Sequence, residues 1–441
     1  MKKEAMRQNR IACLVLSIVL CPRLFAAEKP NYIFQRLTIE QGLSQSAVNG
    51  ILKDSRGFLW FGTKDGLNRY DGYNFKIFRS DPSRSGNLTD NLIYCLAEDT
   101  EGNLWIGTQA GGFNRYDRKT ERFEAYKPDR DSSQAETAGE IRAICPSPDG
   151  KLWLGTLSGL ILFDPRTKTS QSFRHDPNDG QSLSGDRILS LCLDSRGSLW
   201  VGFQAESFNR FDPRTGKAER FRIEALPWNP GLVASVDTIF EDPDGILWIG
   251  SHRGLIRIDP RTRALTTFRN DPADPASLAD SPIRGICRDP QGRIWLALLD
   301  KGLDCFDPAT GRSLHFRSRP NDPRYLSYDS LSCLFMDSSG ILWIGTNGAG
   351  IIKLILQNLN FRVFTQIDSD PNSLHMKSLR SLCEDTDGSL LIGGYGGLDR
   401  FDRERGGFIR LYSEDVYCIL PDSGGPRNHV DRLGRRGVES L

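Results

Sequence analysis

One tryptophan recurs along nearly the whole chain. Trp60, Trp105, Trp153, Trp200, Trp248, Trp295 and Trp343 share one motif, Leu391 stands in an eighth copy, and the steps are 45, 48, 47, 48, 47, 48 and 48 residues. A period of this length, with strand-like runs inside each unit, is that of a propeller blade. The unit that begins at Ile93 shows the plan: the strands "IYCLAED", "LWIGT", "FNRYD" and "FEAY" are separated by turns rich in Gly, Asp and Asn. Four short strands joined this way make one antiparallel blade. Composition agrees, because 43 glycines and 23 prolines suit many turns rather than long helices.

The motif has a packing logic. A blade is covered on both faces, so its central strands need apolar residues at both parities. In "LWIGT", Trp105 and Gly107 share one face while Leu104, Ile106 and Thr108 take the other. Glycine beside tryptophan leaves room for the bulk of the adjacent blade, so the tryptophans are core rather than a stacking box. A second regularity sets the blade limits: the last aromatic of each fourth strand precedes the next motif position by 27 residues, as in Phe78 to Trp105 and Phe316 to Trp343. "FQRL", from Phe34 to Leu37, reads as a lone fourth strand that closes the seventh blade from the other terminus. The fold expected is all-β: a seven-bladed β-propeller of four-stranded antiparallel blades over 28–358, followed by the truncated start of a second propeller over 359–425. "NFRVF" (Asn360 to Phe364) would open that second ring.

Ahead of the repeats, Lys2, Lys3, Arg7 and Arg10 precede an apolar run from Ile11 to Leu20, with Ala26 and Ala27 after it. This is the pattern of a secretory signal over 1–27, too short to span a bilayer. Export to the periplasm or the medium follows, with no membrane span in the mature chain. Lys plus Arg is 57 against 56 acidic residues, which gives no electrostatic reason for a nucleic-acid partner. Cys13 and Cys21 leave with the signal. Cys145, Cys192, Cys287 and Cys383 lie eight residues before a motif position, and Cys95 and Cys333 lie ten before. Equivalent places in successive units make them small core residues of one strand type. The histidines are scattered, and neither a metal site nor a cofactor is expected. Acidic turns such as "DPDG" (Asp242 to Gly245) lack the ligand set of a calcium loop and read as hairpin turns.

The stretch "TIEQGLSQSAVNGILKDSRGFLWFGTKDGLNRYDGYNFKIF" (Thr38 to Phe78), with its recurring "G-x-LW-x-G-T" and "GL-x-R-x-D" elements, closely resembles the two-component regulator propeller family. The resemblance covers about Phe34 to Phe401. It implies the periplasmic sensor of a hybrid histidine kinase or related regulator, often one that senses glycans or their fragments, with a homodimer formed through domains downstream. In that family two seven-bladed propellers are followed by a β-sandwich, a membrane helix and a cytoplasmic output, none of which this chain carries. The leading function is therefore a ligand-binding sensor region without an output domain, its partner a small molecule or glycan fragment. The alternatives are a secreted propeller enzyme, lyase or glycosidase-like, and a protein-interaction scaffold. An enzyme needs one unit to break the repeat with convergent catalytic groups, and none stands out.

The ligand face expected is the one made by loops entering the inner strand and turns joining strands two and three. The turns supply Lys64 and Asp65, Gln109, Gln204 and Glu206, His252 and Arg253, Asp300 and Lys301, and Asn347. The inner-strand loops add Gln45, Asn91, Asp186, Asp280 and Tyr328. Variation on a fixed scaffold is where specificity resides. Two units replace the motif threonine, with Phe203 and Leu298, and Phe203 is read as an aromatic platform.

The repeat fails at the tail. "FIRLYSEDVYCILPDSGG" (Phe408 to Gly425) still reads as a fourth strand and then an inner strand, but "PRNHVDRLGRRGVESL" follows where an "LWIGT" strand belongs. Residues 426–441 are thus expected to be aberrant and disordered. Allowed codons for Asn428 to Leu441, read in a shifted frame, can spell a tryptophan motif matching Asn103 to Arg115. The expectation is a frameshift near Gly424 to Pro426 that truncates a longer sensor; a short natural propeller with a disordered tail is the other reading.

Overall fold

The structure is a computed structural model. It describes residues 32–127, 139–223, 235–279, 281–319, 322, 324–356, 364–367, 370–385, 388–403, 405–421, 430–434 and 437–440. The expected signal over 1–27, Asp280 and Asn360–Val363 lie outside the described residues.

Eight four-stranded antiparallel sheets and one three-stranded sheet make up the described residues, with a single short 3-10 turn at Ile39–Gln41. Seven of the four-stranded sheets form a ring. Their inner strands, Val48–Lys53, Ile93–Glu98, Ile141–Pro146, Ile188–Leu193, Val236–Glu241, Ile283–Arg288 and Leu331–Met336, touch in succession, and the seventh touches the first. These sheets are blades 1 to 7. Phe34–Leu37 pairs antiparallel with Ile351–Ile355 and supplies the outer strand of blade 7. Tyr32 packs edge-on against Trp295 and Phe316, 6.1 and 5.1 Å between ring centres. The chain start therefore closes the ring, as the lone "FQRL" strand predicts.

All five residues of the second strand are buried in each of the seven blades, counted from the "LW" pair or its "IW" equivalent. The motif glycine faces the first residue of the next inner strand. A methyl group on Gly62, Gly155 or Gly250 would lie 2.6–2.7 Å from a γ-carbon of Ile93, Ile188 or Ile283. The outer-strand aromatic explains the 27-residue rule, because it reaches over to the following blade: Phe78 meets Tyr116 at 5.4 Å, Phe173 meets Phe211 at 5.0 Å and Phe268 meets Phe306 at 4.8 Å.

The acidic hairpin turns do more than turn. In blade 5, one Asp242 oxygen accepts from the backbone N–H groups of Asp244 and Ile246, and the other from Trp248 Nε1 at 2.9 Å. The same indole bond ties Trp60 to Asp54, Trp105 to Asp99, Trp200 to Asp194, Trp295 to Asp289 and Trp343 to Asp337. Between blades the same end of the ring is latched by Ser55 to Glu98 and Ser195 to Glu241, backbone and hydroxyl both donating. Six of the eight described cysteines sit in inner strands, Cys305 in a third strand and Cys418 just ahead of Ile419–Pro421; none of the eight is in a disulfide, and burial pushes the Cys95 and Cys333 thiols up to about 12.

The eighth sheet, Leu379–Glu384, Leu390–Gly394, Gly397–Asp402 and Gly407–Tyr412, repeats the blade plan with Leu391 at the tryptophan position. Phe364 packs on Phe401 and Phe408 at 5.0 and 5.2 Å, the contact that an outer-strand aromatic makes with a following blade. Past the eighth sheet the described residues form a three-stranded sheet. Val430–Gly434 pairs with Ile419–Pro421, and Gly437–Ser440 pairs with Val430–Gly434.

Candidate functional site

The turn joining strands two and three begins beside the start of the inner strand in blade after blade. Its first amide donates to the residue before that strand: Lys64 to Ala47, Gln109 to Leu92, Gln204 to Arg187, His252 to Ser235, Leu299 to Pro282 and Asn347 to Ser330, at 2.8–3.3 Å. The two sets of loops singled out in the sequence therefore share one face of the ring. A hydroxyl at the end of strand two clamps most of these turns. Thr63, Thr108, Thr156, Ser251 and Thr346 each donate to the carbonyl of the glycine that follows the turn, at 2.8–3.0 Å.

Blades 4 and 6 lack that clamp, and here the sequence reading needs correction. Phe203 is no platform: it is 1% exposed and packs with Leu183, Ile188 and Trp153, while Leu298 is equally buried against Leu278 and Phe306. The position points between blades, where even the clamping threonines are fully buried, so a larger apolar side chain fills the core instead of facing solvent.

The remaining candidates divide. Asp65 pairs with Arg79 at 3.0 Å on its own blade, and Lys64 and Gln109 are exposed. Gln204 accepts from Arg187 at 2.6 Å, and Asn347 donates to Ser330. Asn91 and Asp186 are loop staples, accepting from the backbone of Ser80 and His175 eleven residues back. Gln45 accepts from Ala47 in the same way. Tyr328 is 38% exposed. Asp300 accepts from Ser281 at 2.5 Å, and its neighbour Lys301 is exposed.

Glu206, His252 and Arg253 come together. The Glu206 carboxylate spans from blade 4 to blade 5 and accepts from Arg253 Nε at 2.9 Å and from its Nη2. His252 Nε2 stands 3.8 Å from the same oxygen. His252 Nδ1 lies 3.1 Å from the Ser235 backbone nitrogen and 3.5 Å from the Ser235 carbonyl oxygen. That Nε2 is buried without a hydrogen-bond partner among the described residues. Burial holds the imidazole below its ordinary range, outweighing the backbone contact with Ser235. Ser235 also donates to Asp237 at 2.6 Å, and Asp237 pairs with Arg284 of blade 6 at 2.6 Å. An unbroken chain of polar contacts thus crosses blades 4, 5 and 6.

Asp237 and Arg284 were missed in the sequence. They belong to a set that the backbone creates: in every blade of the ring the inner strand carries a bulge after its first residue. The bulged residues are Asn49, Tyr94, Arg142, Leu189, Asp237, Arg284 and Ser332, each eleven before the motif tryptophan. A bulge re-aims its side chain, and neighbours in this set meet across blades. The Arg142 guanidinium lies over the Tyr94 ring at 3.9 Å while pairing with Glu140 at 2.6 Å. The available signal was variety at a fixed offset within an otherwise repetitive unit. Among the described residues no group of three or more His, Cys, Asp or Glu side chains is arranged to hold a metal ion.

Comparison with known proteins places this geometry. The model of the two component regulator propeller matches seven times, at residues 42–65, 87–110, 136–158, 182–204, 231–253, 277–299 and 325–348. The chain belongs to the two component regulator propeller family. Each match ends in the turn after strand two, so the family repeat includes the face just described. Among solved structures, the extracellular domain assigned to the hybrid two component system BT3049 of B. thetaiotaomicron aligns over 92% of this chain and 54% of its own length, with 26% identity and a TM-score of 0.64. The extracellular domain of BT4673 from the same organism aligns over 93% and 53%, at 22% identity and a TM-score of 0.61, which shows the shared fold. This chain spans about half the length of those domains. A histidine kinase, P4 of Formosa agariphila, is 42% identical over 78 residues, 17% of this chain and 6% of the kinase. Virginiamycin B lyase from Staphylococcus aureus shares the propeller fold at 14% identity over 74% of this chain and all of the lyase, with a TM-score of 0.56.

Proposed function

We propose that the chain is an extracytoplasmic, non-enzymatic, ligand-binding sensor region of a two-component-type signalling protein. The observation that carries this reading is the 26% identity to the extracellular domain of a hybrid two component system, maintained over 92% of this chain. The leader-like residues 1–27 fit export, and no described helix is long and apolar enough to cross a membrane. The ligand face is the one carrying the strand-two turns and the bulged inner-strand residues. Its chemistry suits recognition: charged groups are held in pairs, Glu206 with Arg253 and Asp237 with Arg284, on a rigid ring of strands.

The test is a thermal-shift screen of the purified chain with glycan fragments and other small solutes, with each hit followed over time by mass spectrometry. A ligand that raises Tm and is recovered unchanged supports the sensor. Steady conversion of the hit would contradict it and favour the lyase-like alternative.

A further inference from the structure

Loops that lead from one blade to the next are tied to the outer strand of the blade they enter. An outer-strand amide donates to a loop carbonyl: Phe123 to Gly86, Ala218 to Gln181, Ser313 to Ala276 and Phe408 to Asn372, at 2.7–2.8 Å. In blades 4 and 6 a side chain two residues further along the strand adds a second tie. In blade 4 it is Arg220, which donates to the carbonyls of Ser182 and Asp179 at 2.8 Å each. In blade 6 it is His315, with Nε2 3.0 Å from the Pro275 carbonyl and Nδ1 2.7 Å from Asp304 Oδ1. The third-strand partner changes with it. Asn209 accepts from the Ser184 amide at 2.8 Å in blade 4, whereas Asp304 accepts from the Ala279 amide at 3.0 Å in blade 6.

The two ties differ in chemistry. Arg220 keeps its charge at every physiological pH. His315 faces a carboxylate and a peptide carbonyl, both of which only accept. A neutral imidazole has one N–H for the two of them, while an imidazolium has one for each. The Asp304 carboxylate is fully buried and shared with Arg317, 3.4 Å from the same oxygen. A carboxylate is the stronger acceptor, so a lone proton stays on Nδ1 and the bond given up is the one to the loop. Arg317 opposes charging of His315, but the Asp304 bond outweighs it and holds the imidazole above its ordinary range. The other charged groups between strand and loop, Arg312 and Asp274, are 3.4 Å apart and exposed, and neither titrates between pH 6 and 8.5.

We propose that His315 is a proton-operated clamp: as imidazolium it fastens the loop 271–279 between blades 5 and 6, and as neutral imidazole it releases that loop at Pro275. The loop is therefore held at acid pH and freed as pH rises through the folded pKa of His315. The loop 176–183, held by Arg220, stays fastened throughout. His175 beside it faces a single acceptor, the Leu183 carbonyl at 2.7 Å, which a neutral ring satisfies. Release also reaches the face of the strand-two turns, because Ser281 donates its amide to the Ala279 carbonyl and its hydroxyl to Asp300.

Hydrogen–deuterium exchange of the full chain at pH 6 and 8.5, normalised to the intrinsic rate at each pH, reads both loops. Protection of 271–279 should fall about fivefold or more at pH 8.5 while that of 176–183 holds steady. His315→Arg, which copies blade 4, should keep 271–279 protected at both pH values, and His315→Gln should leave it open at both. Equal protection of 271–279 at the two pH values in the unmodified chain, or a fall of the same size in 176–183, overturns the clamp. So does a pH dependence that survives in His315→Gln. The unmodified chain decides the first comparison whether or not either variant folds. The clamp needs no ligand, so its failure leaves the sensor reading untouched.

Discussion

Asp242 shows how much one turn carboxylate carries. It is 6% exposed and holds three donors, two backbone amides and the Trp248 indole. Asp242→Ala leaves the buried indole N–H without its acceptor and loosens the turn, and the expected loss is about 2–3 kcal/mol in urea unfolding. The sequence showed "DPDG" as a turn, correctly, but not the bond six residues on, since propensity ends at the local backbone. Two histidines give opposite pH responses. His315 Nδ1 faces the buried Asp304 at 2.7 Å and its Nε2 faces the Pro275 carbonyl at 3.0 Å; the Asp304 bond raises its pKa. That stabilisation is complete below the unfolded value of about 6.5 and is lost as pH rises through the folded pKa. His252 has its pKa lowered, so its contribution is complete above about 6.5 and erodes as pH falls. Unfolding measured at pH 5.5, 7 and 8.5 should show His315→Gln most destabilising on the acid side, with His252→Gln flattening the acid loss.

At the scale of the blade, the unit of specificity is the contact between a motif glycine and the next inner strand. The residue it meets is β-branched, Ile93, Ile141, Ile188, Val236, Ile283 or, across the closure, Val48. In blade 6 the glycine is replaced by Ala297, and in blade 7 the matching residue is Leu331, which has no branch at Cβ. The repeat thus carries its own compensating pair. Gly62→Ala should cost about 1–3 kcal/mol, because its new carbon would sit 2.6 Å from Ile93 Cγ2. The double variant Gly62→Ala with Ile93→Ala should lose less than the two single losses added, as a double-mutant cycle reads. Strand order and blade limits were readable from period, turn residues and aromatic spacing. The bulges were not, since an extra residue in one strand leaves hydrophobic alternation nearly intact over six residues; hence Asp237 and Arg284 went unnoticed. Phe203 was misjudged because it was read with the turn that follows, although strand alternation puts it on the covered face with Leu199 and Val201.

The whole molecule depends on closure. Phe34–Leu37 gives blade 7 its fourth strand, and Tyr32 and Phe34 bury their rings against Phe316. Removing residues up to Leu37 should cost at least about 3 kcal/mol from lost aromatic burial alone, and it opens the edge at Ile351–Ile355 to proteolysis. The lone strand could be placed from sequence because it copies the outer-strand pattern of every other blade. The function could not be placed so finely, because a ring of similar loops offers seven equivalent arcs, and only side-chain geometry singles out blades 4 to 6. Hydrogen–deuterium exchange of the full chain, with and without the best ligand from the thermal-shift screen, tests that account most directly. Protection is predicted in the turns at Gln204–Glu206, His252–Arg253 and Leu299–Lys301, together with the starts of the inner strands at Val236 and Ile283. Protection confined to the opposite face, at the Asp-Gly turns between strands one and two, would contradict it.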